Sequence, residues 1–237
     1  MLNVIKGVQK KPWRMMIYGQ PGVGKSTFAA GAPKPLFIDV ERRTEHLDIP
    51  RLQPDSWETV LSVIKELVSN TSEYKTVVFD TVDHLEHLVF TYLTKKFGVQ
   101  SIEDVAGGYG KGYTMALEEW RRFAVGLEAL RDKGYNILLL GHGHVKTFNN
   151  PTGENYDRWI IKINQKAADF LKEKVDAVGF AHYDDGTKKG KGDLKAKAVG
   201  SDDRVLTFLH NPAFESKRGL GLPDEVELKF SELKGLV

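Results

Sequence analysis

The stretch GQPGVGKST at residues 19–27 decides how the rest of the chain is read. Gly19, four further residues, then Gly24, Lys25 and Ser26 make a complete phosphate-binding loop. It is entered from a strand-like MMIY and left through a helix-like TFAA. Gly22 and Gly24 permit backbone conformations closed to other residues, so successive N–H groups curl around phosphates at the start of the next helix. Pro21, Val23 and Thr27 complete the nucleotide-binding loop. In such a loop the lysine, here Lys25, reaches the β- and γ-phosphates, and the Ser26 hydroxyl ligates Mg²⁺. The stretch implies a nucleoside triphosphate, taken here as ATP with Mg²⁺.

Beyond the loop, short apolar runs alternate with helical stripes, which predicts an α/β fold, a mostly parallel sheet flanked by helices. PLFIDV at 35–40 reads as a strand. A helix is expected from Asp55, which has capping-box spacing to Glu58, with Trp57, Val60, Leu61, Ile64, Leu67 and Val68 on one apolar stripe. TVVFD at 76–80 is a buried strand, followed by a helix carrying Leu85, Leu88, Val89, Tyr92 and Leu93 on one side. Residues 98–113 read as a glycine-rich loop. Residues 114–133 read as a long helix with Leu117, Trp120, Ala124, Leu127 and Leu130 facing the sheet, ended by Gly134. YNILLL at 135–140 is the next strand. From residue 158 the pattern turns to short strands and hairpins with one helix near 165–174. The expected layout is one domain over 1–237, with a nucleotide-binding core at 12–157 and a β-rich part at 158–237.

Of the 237 residues 41% are hydrophobic, enough for a full core. The formal net charge of +2 provides no global field for nucleic acid, so such contacts must come from local patches. The absence of cysteine excludes disulfides and thiolate metal sites and fits a reducing compartment. The N-terminal MLNVIKGVQKKPWR has no apolar core of signal-peptide length, and no run approaches a membrane span. The expectation is a cytoplasmic protein with no membrane partner.

Hydrolysis needs more than the loop. VVFD places Asp80 at the carboxyl end of a strand, where an aspartate holds Mg²⁺ through water or, alternatively, caps the following turn. FIDVE at 37–41 brings Asp39 and Glu41 to the end of another strand, and Glu41 is the candidate general base. The alternative for Glu41 is a solvated glutamate beside Arg42 and Arg43.

These segments resemble the RecA-type recombinase ATPase core. The resemblance implies that Glu41 orients the attacking water and that His142, at the end of the strand after Asp80, senses the γ-phosphate. His142 departs from the glutamine of RecA itself. The GHGH at 141–144 also reads as a metal pair or a glycine-rich turn, although two histidines without a nearby third ligand argue weakly for zinc. VAGGYGKGYTMALEEW at 105–120 and ESKRGLGLP at 215–223 narrow the likeness to the phage-type RecA-like nucleotide-binding proteins, including recombinases that promote single-strand annealing. For a phage-encoded chain the cytoplasm is that of a bacterial host.

In that family two loops contact single-stranded DNA, which implicates Tyr109, Lys111 and Tyr113 in the first. Lys146, Phe148 and Arg158 belong to the second, with Asn149, Asn150 and Tyr156 nearby. Aromatics interleaved with cations suit unpaired bases. Lys188, Lys189 and Lys191, with Lys195 and Lys197, form a basic patch that follows a phosphate backbone or edges a solvated hairpin. The family places ATP between subunits, so self-association is expected and Arg218, beside Lys217, is the residue donated in trans. Its alternative is a salt bridge to the DEVE that follows. A single-stranded-DNA-binding protein is a further expected partner.

Other classes fit less well. A GTPase lacks its Asn-Lys-x-Asp motif and the glycine three residues after Asp80. An AAA+ loader calls for a helical lid where this chain reads as strands. A small-molecule kinase and a DNA-binding scaffold with little turnover stay open as alternatives.

Overall fold

Runs such as MMIY, LFID, TVVF and ILLL are apolar on both sides of the pleat, the pattern of strands covered on both faces of a parallel sheet. The computed structural model describes residues 4, 6, 7, 9, 11–184, 186–188, 197–199 and 202–235, with backbone alone for 186–188 and 197–199. In chain order the strands are β1 Arg14–Gly19, β2 Pro35–Asp39, β3 Arg51–Leu52, β4 Thr76–Asp80, β5 Asn136–Phe148, β6 Tyr156–Ile161, β7 Ala177–Tyr183, β8 Gly186–Lys188, β9 Lys197–Val199, β10 Arg204–Thr207 and β11 Glu225–Glu227. The helices are α1 Lys25–Ala30, α2 Trp57–Ser69, α3 Val82–Phe97, α4 Lys111–Asp132 and α5 Gln165–Lys174.

The main sheet runs β11-β10-β7-β1-β5-β4-β2-β3, parallel from β7 to β3, with β10 and β11 antiparallel at one edge. Alternate strand residues feed two cores. Met16, Tyr18, Phe79, Ile137 and Leu139 pack under α2 to α5, while Met15, Ile17, Val78, Leu138 and Leu140 pack with α1, Trp13, Phe230 and Leu233. Between α2 and α4 an aromatic cluster joins Trp57 edge-on to Trp120 at 5.9 Å and Phe123 edge-on to Phe79 at 5.0 Å. Inside it the buried Glu119 accepts from Trp57 Nε1 at 2.9 Å and from Arg122 at 2.7 Å. The long α4 buries Ala116, Trp120, Phe123, Leu127 and Leu130, whereas the expected Leu117 and Ala124 are only partly covered.

Three elements differ from expectation. The N-cap of α2 is Ser56, whose Oγ accepts from Thr59 N at 3.2 Å, so Asp55 stands one residue outside the helix. The glycine-rich segment 98–113 is not wholly a loop. A 3-10 turn at Ile102–Gly107 and a three-residue turn at 108–110 lead into α4, which places Lys111 and Tyr113 in the first turn of that helix. The stretch after His144 is not a loop either: β5 continues to Phe148 and pairs antiparallel with β6, leaving 149–155 as the turn of a hairpin. The cross-strand ladder from Gly143↔Ile161 to Phe148↔Tyr156 and the 5.2 Å contact between the Phe148 and Tyr156 rings hold it.

The hairpin is fastened to the P-loop strand: the Tyr18 hydroxyl stands 3.2 Å from Trp159 O on β6, while it donates to Glu215 O at 2.7 Å and accepts from Glu215 N at 2.8 Å. After β6 the elements of the described residues are strands, the ten-residue α5 and a 3-10 turn at Phe230–Leu233, with no helical lid among them.

Candidate active site

Parallel register brings the chemistry to one edge. Gly19 pairs with His142 across β1 and β5, and Asp39 with Asp80 across β2 and β4, so the carboxyl ends of four strands meet at the P-loop. That is where open α/β sheets bind their ligands. Gly22 at φ +80° and Gly24 at φ +105° shape the loop, in conformations that side chains resist. Gly19 is needed for another reason: a Cβ there would lie 2.0 Å from Ala181 O on the neighbouring strand.

A cavity of about 290 Å³ opens over the loop, lined by Pro21, Gly22, Gly24, Lys25, Ser26 and Thr27. Glu41, Asp80 and His142 complete its far wall. Val23 contributes only backbone, because its side chain is buried in the core beneath α1. Lys25 is 6% exposed and donates to Gln20 O at 2.9 Å. Burial lowers its pKa, against the pull of Asp80, Asp83 and Glu41.

Asp80 is 3% exposed and accepts from Ser26 Oγ at 2.6 Å. Burial pushes its carboxyl up to about 6, resisted by the Ser26 hydrogen bond and aided by Glu41 and Asp39. A buried carboxylate beside a hydroxyl is a hard-oxygen donor pair, which suits Mg²⁺. Asp39 takes a different part. Burial works against its ionisation, yet bonds from Gln53, Thr44 and the backbone of Arg43 and Arg42 hold its carboxyl below the usual range. It braces the turn that carries Glu41.

The Glu41 side chain is 11% exposed, and Oε2 stands 3.9 Å from both His142 Nε2 and His84 Nδ1. His142 is held from behind by Asp83, which accepts from its backbone N at 3.0 Å and contacts Nδ1 at 2.8 Å. Against the cost of burial, those contacts keep the Asp83 carboxyl at about 2. An ionised Asp83 only accepts, so Nδ1 carries the proton and Nε2 faces Glu41. His144, by contrast, has a buried Nδ1 without a hydrogen-bond partner, and burial followed by Lys146 and Lys162 lowers its pKa.

Three residues here had no sequence signal. Asp83 and His84 lie in the first turn of α3, where acidic and polar residues are ordinary. Arg204, on β10, lines the cavity with Nη1 3.5 Å from Val23 O, and would lie 2.8 Å from a Cβ at Gly24. It comes from 181 residues further along the chain.

The residues assigned to DNA and to a neighbouring subunit lie elsewhere. Tyr109 is fully exposed on its glycine-flanked turn, Lys111 is exposed, and Tyr113 leans edge-on against Phe90 at 5.8 Å. On the hairpin, Arg158 is paired with Glu215 at 3.5 Å and sits over the Phe148 ring at 5.1 Å, while Lys146 is exposed. Lys188 falls on β8, described by its backbone, and Lys189 and Lys191 lie outside the described residues. Arg218 is exposed, paired with Asp224, and does not line the cavity of its own chain. Lys217 donates to Val175 O at 2.7 Å at the end of α5.

No helix among the described residues is long and apolar enough to cross a membrane. No curated protein sequence matches the chain. The profile of the AAA domain family does match, over residues 11–220, a span that takes in the P-loop, Asp80, Glu41, His142 and Arg204 together. With most of its length under that profile and a P-loop site at the carboxyl edge of its sheet, this chain belongs to the AAA domain family of P-loop ATPases.

Proposed function

We propose that this chain is a RecA-like ATPase that binds single-stranded DNA and promotes homologous recombination or strand annealing, assembling with ATP at the subunit interface. The observation that carries the hydrolytic half is the placement of Glu41: a nearly buried carboxylate across the cavity from Lys25, with His142 beside it. The P-loop N–H groups and Lys25 hold the phosphates. Ser26 and Asp80 would hold Mg²⁺, which when bound offsets charge on the β- and γ-phosphates. Glu41 accepts a proton from water as the water oxygen bonds to the γ-phosphorus. The bond to the β-γ bridging oxygen then breaks, and ADP leaves with the electron pair. Asp83 keeps His142 aimed at that centre.

The DNA half is supported by Tyr109 and Lys111, an exposed π-face and cation beside a glycine-flanked turn, and by the exposed Lys146. Arg218, exposed although paired with Asp224, is the residue proposed to reach a neighbouring subunit. If ATP and single-stranded DNA act on one assembled state, each tightens binding of the other by the same factor. Measuring single-stranded DNA affinity with and without a non-hydrolysable ATP analogue, at two salt concentrations, tests this. Tighter, salt-sensitive binding with nucleotide in the wild type, lost in Lys25→Ala, is expected. Equal affinity with and without nucleotide sinks the coupling, and turnover that appears only with a small-molecule acceptor makes the chain a kinase.

A further inference from the structure

Of the two histidines of GHGH, His142 acquires partners from other elements. Glu41 from the β2 turn, His84 from α3 and His142 from β5 each offer a donor atom within 4.8 Å of the others. Glu41 Oε2 is equidistant, at 3.9 Å, from His84 Nδ1 and His142 Nε2, and the two rings meet edge to face with centroids 6.2 Å apart. All three are partly covered rather than free on the surface.

We propose that Glu41, His84 and His142 form a binding site for a borderline divalent transition metal such as Zn²⁺, separate from the Mg²⁺ position at Ser26 and Asp80.

Donor chemistry separates the two sites. Two imidazoles and one carboxylate match Zn²⁺, whereas Mg²⁺ takes oxygen donors and retains water. Three protein ligands leave the fourth tetrahedral position open to water or a phosphate oxygen. Asp83 already holds His142 Nδ1 at 2.8 Å, which leaves Nε2 as the free nitrogen, as a carboxylate does behind a metal-bound histidine. Tetrahedral ligands at zinc distances stand roughly 3.4 Å apart. The two 3.9 Å contacts therefore have about half an ångström to close, within reach of side-chain adjustment. Thr81 Oγ1, now 2.9 Å from His84 Nδ1, gives up that contact when the metal takes the nitrogen. A metal here occupies the carboxylate assigned to water activation, so it inhibits hydrolysis. That consequence alone rests on the proposed role of Glu41; the binding does not.

The test is direct binding of Zn²⁺ to the full, nucleotide-free chain, by competition with a chromogenic zinc chelator. Wild type, His84→Ala, Glu41→Gln and Lys25→Ala are compared, and circular dichroism checks that each is folded. One Zn²⁺ per chain is expected, weakened at least about tenfold in His84→Ala and Glu41→Gln and unchanged in Lys25→Ala. Co²⁺ substituted into the wild type should show the visible absorption of a tetrahedral site. Absence of stoichiometric binding in the wild type overturns the proposal. So does zinc affinity that survives both ligand substitutions, because the metal then sits on other histidines. If His84→Ala does not fold, Glu41→Gln, which keeps the side-chain shape, decides the matter alone. ATP turnover with and without Zn²⁺ is read separately: binding without inhibition leaves the site standing and removes Glu41 as the base.

Discussion

Arg204 shows how a single side chain completes a site that its own sequence neighbourhood does not announce. It stands beside Val23 O and Gly24, where the loop turns over the phosphates, and its charge is supplied in cis. Arg204→Ala is predicted to raise the KM for ATP about tenfold, roughly 1.4 kcal/mol of binding, with a smaller effect on kcat. Steady-state kinetics check this, and an unchanged KM would show that the arginine only packs. The P-loop and the place of Asp80 at the end of its strand were legible in the sequence, because the loop has a fixed spacing and the apolar run before Asp80 marks a buried strand. Glu41 was legible only beside the strand that carries it and the likeness to RecA. Asp83, His84 and Arg204 were not, since register and helix placement alone bring them to the cavity.

At the scale of elements, burial patterns foretold the central strands and helices, while boundaries depended on hydrogen bonds that composition does not reveal. Asp55 and Ser56 are both good N-caps; Ser56 has the role because its Oγ meets Thr59 N. Ser56→Ala should destabilise the protein by about 1 kcal/mol and Asp55→Ala by far less, measured by urea unfolding. The reverse order would place the cap one residue earlier. Within the α2 and α4 contact, Glu119→Ala leaves Trp57 Nε1 buried and unpaired, which should cost about 1–3 kcal/mol. The hairpin of β5 and β6 escaped the sequence reading because turn residues such as Asn149, Asn150 and Gly153 suggest a longer loop than the ladder leaves. On it Arg158 is engaged by Glu215 while Lys146 is exposed, so under the proposed function Lys146 is the cation that a nucleic-acid strand would meet.

For the molecule as a whole, buried carboxylates shape stability against pH. Glu86, on α3, accepts from Asn164 N at the start of α5 through both oxygens, and burial, aided by Asp83, pushes its carboxyl up to about 7 from 4.5. The folded state therefore binds this proton more tightly than the unfolded chain. The contribution to stability is complete below about pH 4.5 and is lost as pH rises to about 7. Glu86→Gln keeps an acceptor for Asn164 and should flatten that slope, raising Tm relative to wild type by several degrees at pH 8 and little at pH 5. Parallel pH profiles for the two proteins would count against it. Hydrolysis makes the larger claim, since the P-loop, the β2 turn and β5 must all converge for it to occur. It is tested most directly by ATP turnover and ATP affinity measured side by side for wild type and Glu41→Gln. The account predicts turnover reduced by about 10²–10⁴-fold with affinity retained. Turnover left intact in Glu41→Gln would contradict it.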